Sequence, residues 1–331
     1  MFLTSFVPWR RSCATAFAVL LAGLPWAAQA QAPYPARPIT FVIGYPPGAI
    51  VDTVARQVAT ALSAELGQSL VPTNKGGAAG AIGAGFLSKA PADGYTLLFT
   101  AYTSLQIANA IDRTLNFDPV NDLLPVASIG RPTTLLLVNA DFPAKNFDEF
   151  LAYVKNSPGQ INFGTSGIGS PNHFALEHMN ATFDTGMTAV PYKGAAQMLT
   201  DMLGGRVQAI FGSSSLSAGH LQEGKVRALA IGSPDATPLF PDLPLIAERG
   251  APGFNASGAL GVFAPPGTPA AIVDQVNAAI TNVLQDPAVM QKLANDGIVI
   301  SRQSASQFAK SYREEAQRIT EFIKKNELEI R

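Results

Sequence analysis

The chain has 331 residues, 47% hydrophobic and 14% charged, with a formal net charge of −1 and one cysteine, Cys13. So slight a charge argues against a nucleic-acid partner and against a basic membrane-surface binder, and a single cysteine excludes an internal disulfide or a thiolate metal cluster. A chain beyond about 250 residues can hold its core without covalent staples and usually divides into two domains.

Arg10 and Arg11 precede an apolar run from Ala14 to Ala28 that closes on Ala28-Gln29-Ala30. That is the n-region, h-region and A-x-A layout of a secretory signal peptide over residues 1–30, with cleavage expected after Ala30. The mature chain then carries no cysteine, and without Arg10 and Arg11 the formal charge of −1 becomes −3. The run is shorter than the roughly 20 residues of a spanning helix. Cys13 lies before it, where a lipid-modified cysteine would have to follow.

Taken in chain order, Ile39 to Tyr45 reads as a buried strand and Pro46 to Val51 as a loop. From Asp52 onward Val54, Val58, Ala61, Leu62 and Leu66 follow helical spacing. Asp52 stands at that helix start and is expected to act as an N-cap toward the N–H groups of residues 54 and 55. Further strands are predicted near 69–73, 96–100, 161–164, 187–191, 206–211 and 226–231, each trailed by Gly, Ser or Pro and then a helical stretch. This is the pattern of α/β sheets with helices packed outside.

Two long apolar runs, 124–139 and 256–264, have no helix between or after them and are predicted to pass between two lobes as hinge strands. One lobe then holds residues 31–131 together with 261–331, and the other 132–260. Thr268 and Pro269 are expected as N-cap and first helical residue of a helix that carries Val273, Val276 and Ile280 on one face. A last helix follows Ser304, its Phe308, Tyr312, Ile319 and Ile323 stripe predicted as packing surface.

Three strand-like runs end in loops of tiny residues that open a helix: YPPGAIVD at 45–52, GTSGIGSP at 164–171 and FGSSSLS at 211–217. A helix start carries unpaired N–H groups and about half a positive charge, and small side chains let an anion reach them. Each loop alone is better read as a tight strand-to-helix turn; three together point to a site for a small anion.

Enzyme motifs fail at defined positions. Gly219 to Val226 fits G-x-x-x-x-G-K but places Val226 where a Ser or Thr must bind magnesium. The run GGAAGAIGAG at 76–85 has G-x-x-G-x-x-G spacing and no acidic residue following at the required distance. Gly164-Thr165-Ser166-Gly167-Ile168 lacks the last glycine of G-x-S-x-G. The histidines are His173, His178 and His220, and His173 and His178 are five apart, which turns them away from a shared metal. His173, in the first turn after GTSGIGS, either reaches a bound anion or bonds to backbone. No metal and no cofactor are expected. The enzyme alternative is a secreted hydrolase with Ser166 as nucleophile and His173 as base.

The segments YPARPITFVIGYPPGAIVDTVAR, NKGGAAGAIGA, PADGYTLLF, VPYKGAAQMLTDMLGGRV, GKVRALAI and VFAPPGTP, in this order, resemble the Bug family of periplasmic solute-binding proteins that serve tripartite tricarboxylate transporters. The match covers essentially the whole mature chain. It implies a periplasmic, monomeric type II binding protein: two α/β lobes joined by hinge strands, closing like a Venus flytrap on an organic carboxylate without catalysis. It also implies a two-component membrane permease as partner.

By the same resemblance the carboxylate rests on the loop after the first strand, at Tyr45, Pro46, Pro47, Gly48, Ala49 and Asp52. The other lobe contributes Thr165, Ser166 and Gly167, then Tyr192, Lys193 and Gly194, then Phe211, Gly212 and Ser213. Two departures bear on the ligand. Ala49 and Ile50 stand where the family usually has glycines, which implies a narrower and more apolar floor. Gly212 stands where many members carry an aspartate able to pair with a ligand ammonium. The expected ligand is a mono- or dicarboxylate without an amine. An aromatic one would stack among Tyr45, Tyr102, Phe163 and Phe211, unless those rings are core. A subunit that presents its ligand to a membrane kinase would use the same closed form.

Overall fold

The first strand, β1 (Ile39–Ile43), is buried at four of its five positions, as a strand covered on both faces requires. A computed structural model describes residues 1–2, 34–111 and 115–328, so the predicted signal peptide and its cleavage point lie outside the described residues, apart from Met1 and Phe2. The chain separates into a unit Met1–Ala36 and a unit Arg37–Arg331; the architecture that follows is that of the second.

After β1 come α1 (Ile50–Leu66), β2 (Leu70–Asn74), α2 (Ala81–Leu87), β3 (Thr96–Ala101), α3 (Thr103–Ala110) and β4 (Leu124–Pro132). The chain continues through β5 (Thr134–Asn139), α4 (Phe147–Lys155), β6 (Asn162–Thr165), α5 (Pro171–Phe183), β7 (Thr188–Pro191), α6 (Ala195–Leu203), β8 (Ala209–Ser213), α7 (Ser214–Gln222) and β9 (Val226–Ile231). It ends with β10 (Leu260–Ala264), α8 (Ala270–Val283), α9 (Pro287–Asn295), β11 (Ile298–Ile300) and α10 (Ala305–Lys325). Among the described residues no helix is long and apolar enough to cross a membrane.

Two sheets result, in the orders β11-β4-β10-β3-β1-β2 and β7-β6-β8-β5-β9. In the first, β1 runs parallel to β2 and β3, whereas β10 is antiparallel to both β3 and β4. In the second, β6 is parallel to β7 and β8, and β5 is antiparallel to β8 and β9. Each parallel strand is followed by a helix, so the loops after β1, β3, β6, β7 and β8 gather at the carboxyl ends of their sheets, where open α/β sheets bind ligands.

The chain passes between the sheets twice, and both passages are short. Thr133 alone separates β4 from β5; its N–H donates to the Gly297 carbonyl at 2.8 Å and its carbonyl accepts from Ser214 N at 2.9 Å. On the return, Ala256 N still bonds to Gly232 O beside the second sheet at 2.8 Å, and three residues later the Ala259 carbonyl accepts from Tyr102 N beside the first at 2.9 Å. The apolar runs 124–139 and 256–264 are thus two strands broken at Thr133 and a shorter strand preceded by an extended link.

Local chemistry explains the helix ends. Ser304 and Gln307 cap α10 reciprocally, and Phe308, Tyr312, Ile319 and Ile323 are buried along it as the stripe predicts. Rings so fully buried as Phe308 and Tyr312 contribute about 1.5–3 kcal/mol each. Two cap assignments need correction. α1 begins at Ile50, with the extended Ala49 as N-cap, which puts Asp52 at the third position of the first helical turn. Pro269, not Thr268, is the N-cap of α8, and the Thr268 hydroxyl donates to the Pro265 carbonyl instead.

Candidate functional site

The loop after β1 is shaped by Asp52 from inside the helix it precedes. Asp52 is 4% exposed. Its Oδ2 accepts from Gly48 N at 3.0 Å, and its Oδ1 accepts from Arg56 Nε at 3.0 Å and Asn74 Nδ2 at 2.7 Å. Burial alone would raise its pKa; the hydrogen bonds from Arg56, Asn74 and Gly48 outweigh that and hold it below the usual carboxylate value. Asn74 also donates to the Tyr45 carbonyl at 3.0 Å, so it ties the end of β2 to the loop after β1.

Gly48 has φ of +82°, a left-handed conformation that glycine adopts without strain. Gly76 lets the next loop approach closely, since a Cβ there would stand 2.6 Å from Pro46 N. Pro46 to Gly48 are exposed, and the N–H groups of Ile50 and Val51 have no acceptor among the described residues. The Tyr45 hydroxyl leans on the Ala79 carbonyl at 3.4 Å. Burial raises its pKa, with the Ser104 side chain partly opposing.

In the second sheet, Asn172 organises the loop after β6. Its Oδ1 accepts from Ser166 N at 3.1 Å, Ser166 Oγ at 2.9 Å and Ser170 Oγ at 2.6 Å, while its Nδ2 reaches the Phe211 carbonyl at 3.5 Å. One side chain thereby joins the loop after β6 to strand β8. Ser170 caps α5 through His173 N, and Ser213 caps α7 through Leu216 N. His173 is buried; its Nδ1 accepts from Gly169 N at 3.1 Å, and its Nε2 lies 3.7 Å from Glu177. Of its two predicted roles the structure shows the backbone bond, so His173 braces the loop from behind.

The Tyr192 hydroxyl donates to Asp201 of α6 at 3.0 Å, and burial, reinforced by Asp201, raises its pKa. Its side chain is therefore turned along the helix, although Tyr192 N bonds to the Thr165 carbonyl at 2.8 Å and keeps loop 192–194 beside β6. Lys193 is exposed and Gly194 is the N-cap of α6.

The two sets of loops meet at the return passage. A Cβ on Gly258 would lie 3.6 Å from Ala101 at the end of β3 and 3.8 Å from Pro171 at the start of α5. Four buried hydroxyl oxygens, on Thr100, Thr133, Thr165 and Ser214, have no hydrogen-bond partner among the described residues. Buried hydroxyls are rarely left so, and a ligand or water would satisfy them.

The aromatic platform does not form. Tyr102 is 2% exposed and packs 5.2–5.8 Å from Tyr312, Phe308 and Phe263, whereas Phe163 and Phe211, 5.1 Å apart, sit in a separate core with Phe254. These three rings anchor their sheets. A side chain at Gly212 would start 2.8 Å from Leu137 Cδ1, toward the core between β5 and β8. Among the described residues no group of three or more His, Asp or Glu could hold a metal.

Two α/β sheets joined by two short passages, with a helix starting soon after each parallel strand, define a two-lobed solute-binding protein of the Venus-flytrap type. The chain belongs to the tripartite tricarboxylate transporter receptor family, whose model matches residues 54–328. Protein BugT of Bordetella pertussis is 35% identical over 265 residues, 80% of this chain and 81% of its own length. Among solved structures, Rpa4515 of R. palustris with adipate has a TM-score of 0.76 at 32% identity, covering 89% of this chain and 98% of that one. MatC of Rhodopseudomonas palustris with bound malate has a TM-score of 0.73 at 31% identity, covering 88% and 100%. The periplasmic binding protein BugD has a TM-score of 0.74 at 28% identity, covering 89% and 99%. The family is one of periplasmic receptors, not of enzymes.

Proposed function

We propose that this protein captures a small organic mono- or dicarboxylate without an amine between its lobes and delivers it to a two-component tripartite tricarboxylate permease. The lobes are residues 31–131 with 261–331 and residues 132–260, the signal peptide is removed after Ala30, and the mature protein works as a monomer without turnover. The observation that carries this reading is the approach of the two sets of strand ends at Gly258, where a Cβ would lie 3.6 Å from Ala101 and 3.8 Å from Pro171, together with the buried hydroxyls of Thr100, Thr133, Thr165 and Ser214, which have no hydrogen-bond partner among the described residues. Helix N-termini favour an anion by about 0.3–2 kcal/mol each, so micromolar affinity, about −8 kcal/mol, needs several N–H and hydroxyl donors at once. Adipate and malate on two similar proteins support the ligand class.

Closure proceeds by rotation about Thr133 and residues 256–259. A ligand bridging both lobes favours the shut form, which the permease recognises and opens. The hydrolase alternative is disfavoured, since Ser166 Oγ bonds to Asn172 and His173 Nδ1 is taken by Gly169 N. A thermal-shift panel of mono-, di- and tricarboxylates, amino acids and neutral sugars tests the reading. Ligand at 100 times its Kd is expected to add roughly 2.7 kcal/mol, a rise of a few degrees. Stabilisation by sugars or amines alone would refute the carboxylate assignment.

A further inference from the structure

Beside the passages between the sheets, against α10, lies a cavity of about 380 Å³, in the size range of small-molecule sites. None of the loops 45–52, 164–170, 192–194 or 211–213 lines it. Its walls come from elements of both sheets. Phe174 and His178 stand on α5, Asn255 on the return passage, and Glu315, Arg318 and Phe322 on α10.

The floor is electrically closed, because Glu315 accepts both arms of the Arg131 guanidinium at 3.0 and 2.8 Å. Arg318, Lys325 and Glu321 also line the wall, so three cations and two carboxylates leave one positive charge in excess, and the Arg318 charge also acts on Glu315. One side is aromatic. Phe322 lies 4.0 Å from the His178 ring and 5.8 Å from Phe174, centroid to centroid.

His178 is the informative group. It is 7% exposed, lines the cavity, and has no hydrogen-bond partner for either ring nitrogen among the described residues. An imidazole with unpaired ring nitrogens on a cavity wall can exchange a hydrogen bond with an occupant.

We propose that this cavity is a second small-molecule site, separate from the carboxylate cleft, that takes an aromatic monocarboxylate. Its ring lies against Phe174 and Phe322, His178 supplies a hydrogen bond, and the carboxylate points to Arg318 and Lys325. Because the walls belong to both lobes, occupancy is coupled to the lobe angle. An occupant therefore alters the affinity of the cleft for its own ligand, and by linkage the cleft ligand alters this site equally.

Both tryptophans, Trp9 and Trp26, lie in the predicted signal peptide, so Phe322→Trp places a lone tryptophan in the cavity wall of the mature protein. Benzoate is the probe. Its addition is expected to change the emission saturably, to do so equally in an Asp52→Ala background that disables the cleft, and to need about tenfold more benzoate after Arg318→Glu, the loss of about 1.4 kcal/mol. An emission indifferent to benzoate, or a response that disappears with Asp52→Ala, overturns the second site. Should Phe322→Trp not fold, the imidazole NMR signals of the wild-type protein, which has three histidines, give the same answer. A benzoate-dependent shift at His178 that survives Asp52→Ala supports the site, and its absence refutes it. Cleft ligands are scored separately by thermal shift, so failure of this site leaves the carboxylate reading standing.

Discussion

Arg131, next to last in β4, holds Glu315 of α10 with both arms of its guanidinium, at 3.0 and 2.8 Å, where the chain leaves the first sheet. Asn255 on the return passage donates to the same carboxylate at 3.2 Å, and Thr103 at the start of α3 approaches it at 3.4 Å. One buried acid therefore links both passages to a single helix.

Glu315→Ala is expected to lower stability by about 3–5 kcal/mol in urea denaturation, since it leaves the Arg131 charge uncompensated in a largely buried place. Burial by itself would raise the Glu315 pKa, but the charge and hydrogen bonds of Arg131, with Arg318 and Asn255, bring it below the ordinary value of 4.5. A depressed carboxylate contributes fully above the unfolded value and loses that contribution as pH falls through the folded one. Glu315→Gln is expected to flatten the decline of stability below about pH 4.5, and an unchanged acid limb would contradict this.

His178 adds a second pH window. Burial lowers its pKa from 6.5 to about 4, so between those values the unfolded chain binds a proton that the folded chain refuses. The stability is complete above pH 6.5 and falls toward pH 4 by on the order of 3 kcal/mol. His178→Phe is expected to remove that slope, read from denaturation midpoints at pH 7 and pH 4.5.

Asp52→Ala removes the acceptor for Gly48 N, Arg56 and Asn74 together. The expected cost is about 1–3 kcal/mol of stability and at least about a tenfold loss of carboxylate affinity by calorimetry, some 1.4 kcal/mol. Retained affinity would show that the loop after β1 holds its shape without this carboxylate.

Asn172→Ala frees Ser166 and Ser170 and uncouples the loop after β6 from strand β8. Carboxylate affinity is expected to fall about tenfold with a smaller loss of stability than at Glu315. Ser166→Ala, which keeps Asn172, is expected to weaken binding less than Asn172→Ala, and the reverse order would make Ser166 the direct contact.

Much of this protein is written locally in its sequence. Ile39 to Ile43, the Val54, Val58 and Leu62 spacing and the Phe308, Tyr312, Ile319 and Ile323 stripe each declare a strand or a helix, because burial on one face fixes the period of apolar residues. The tiny-residue loops declare themselves for the same reason, since only small side chains expose a helix start. Tertiary structure decided the rest. Asn74 serves a loop 29 residues earlier and Asn172 a carbonyl 39 residues later; Tyr102 and Phe211 turn inward, and Glu315 joins a strand 184 residues away to a passage 60 residues away. Hydrogen bonds and ring contacts of that span depend on which strands become neighbours, and no local period encodes that choice.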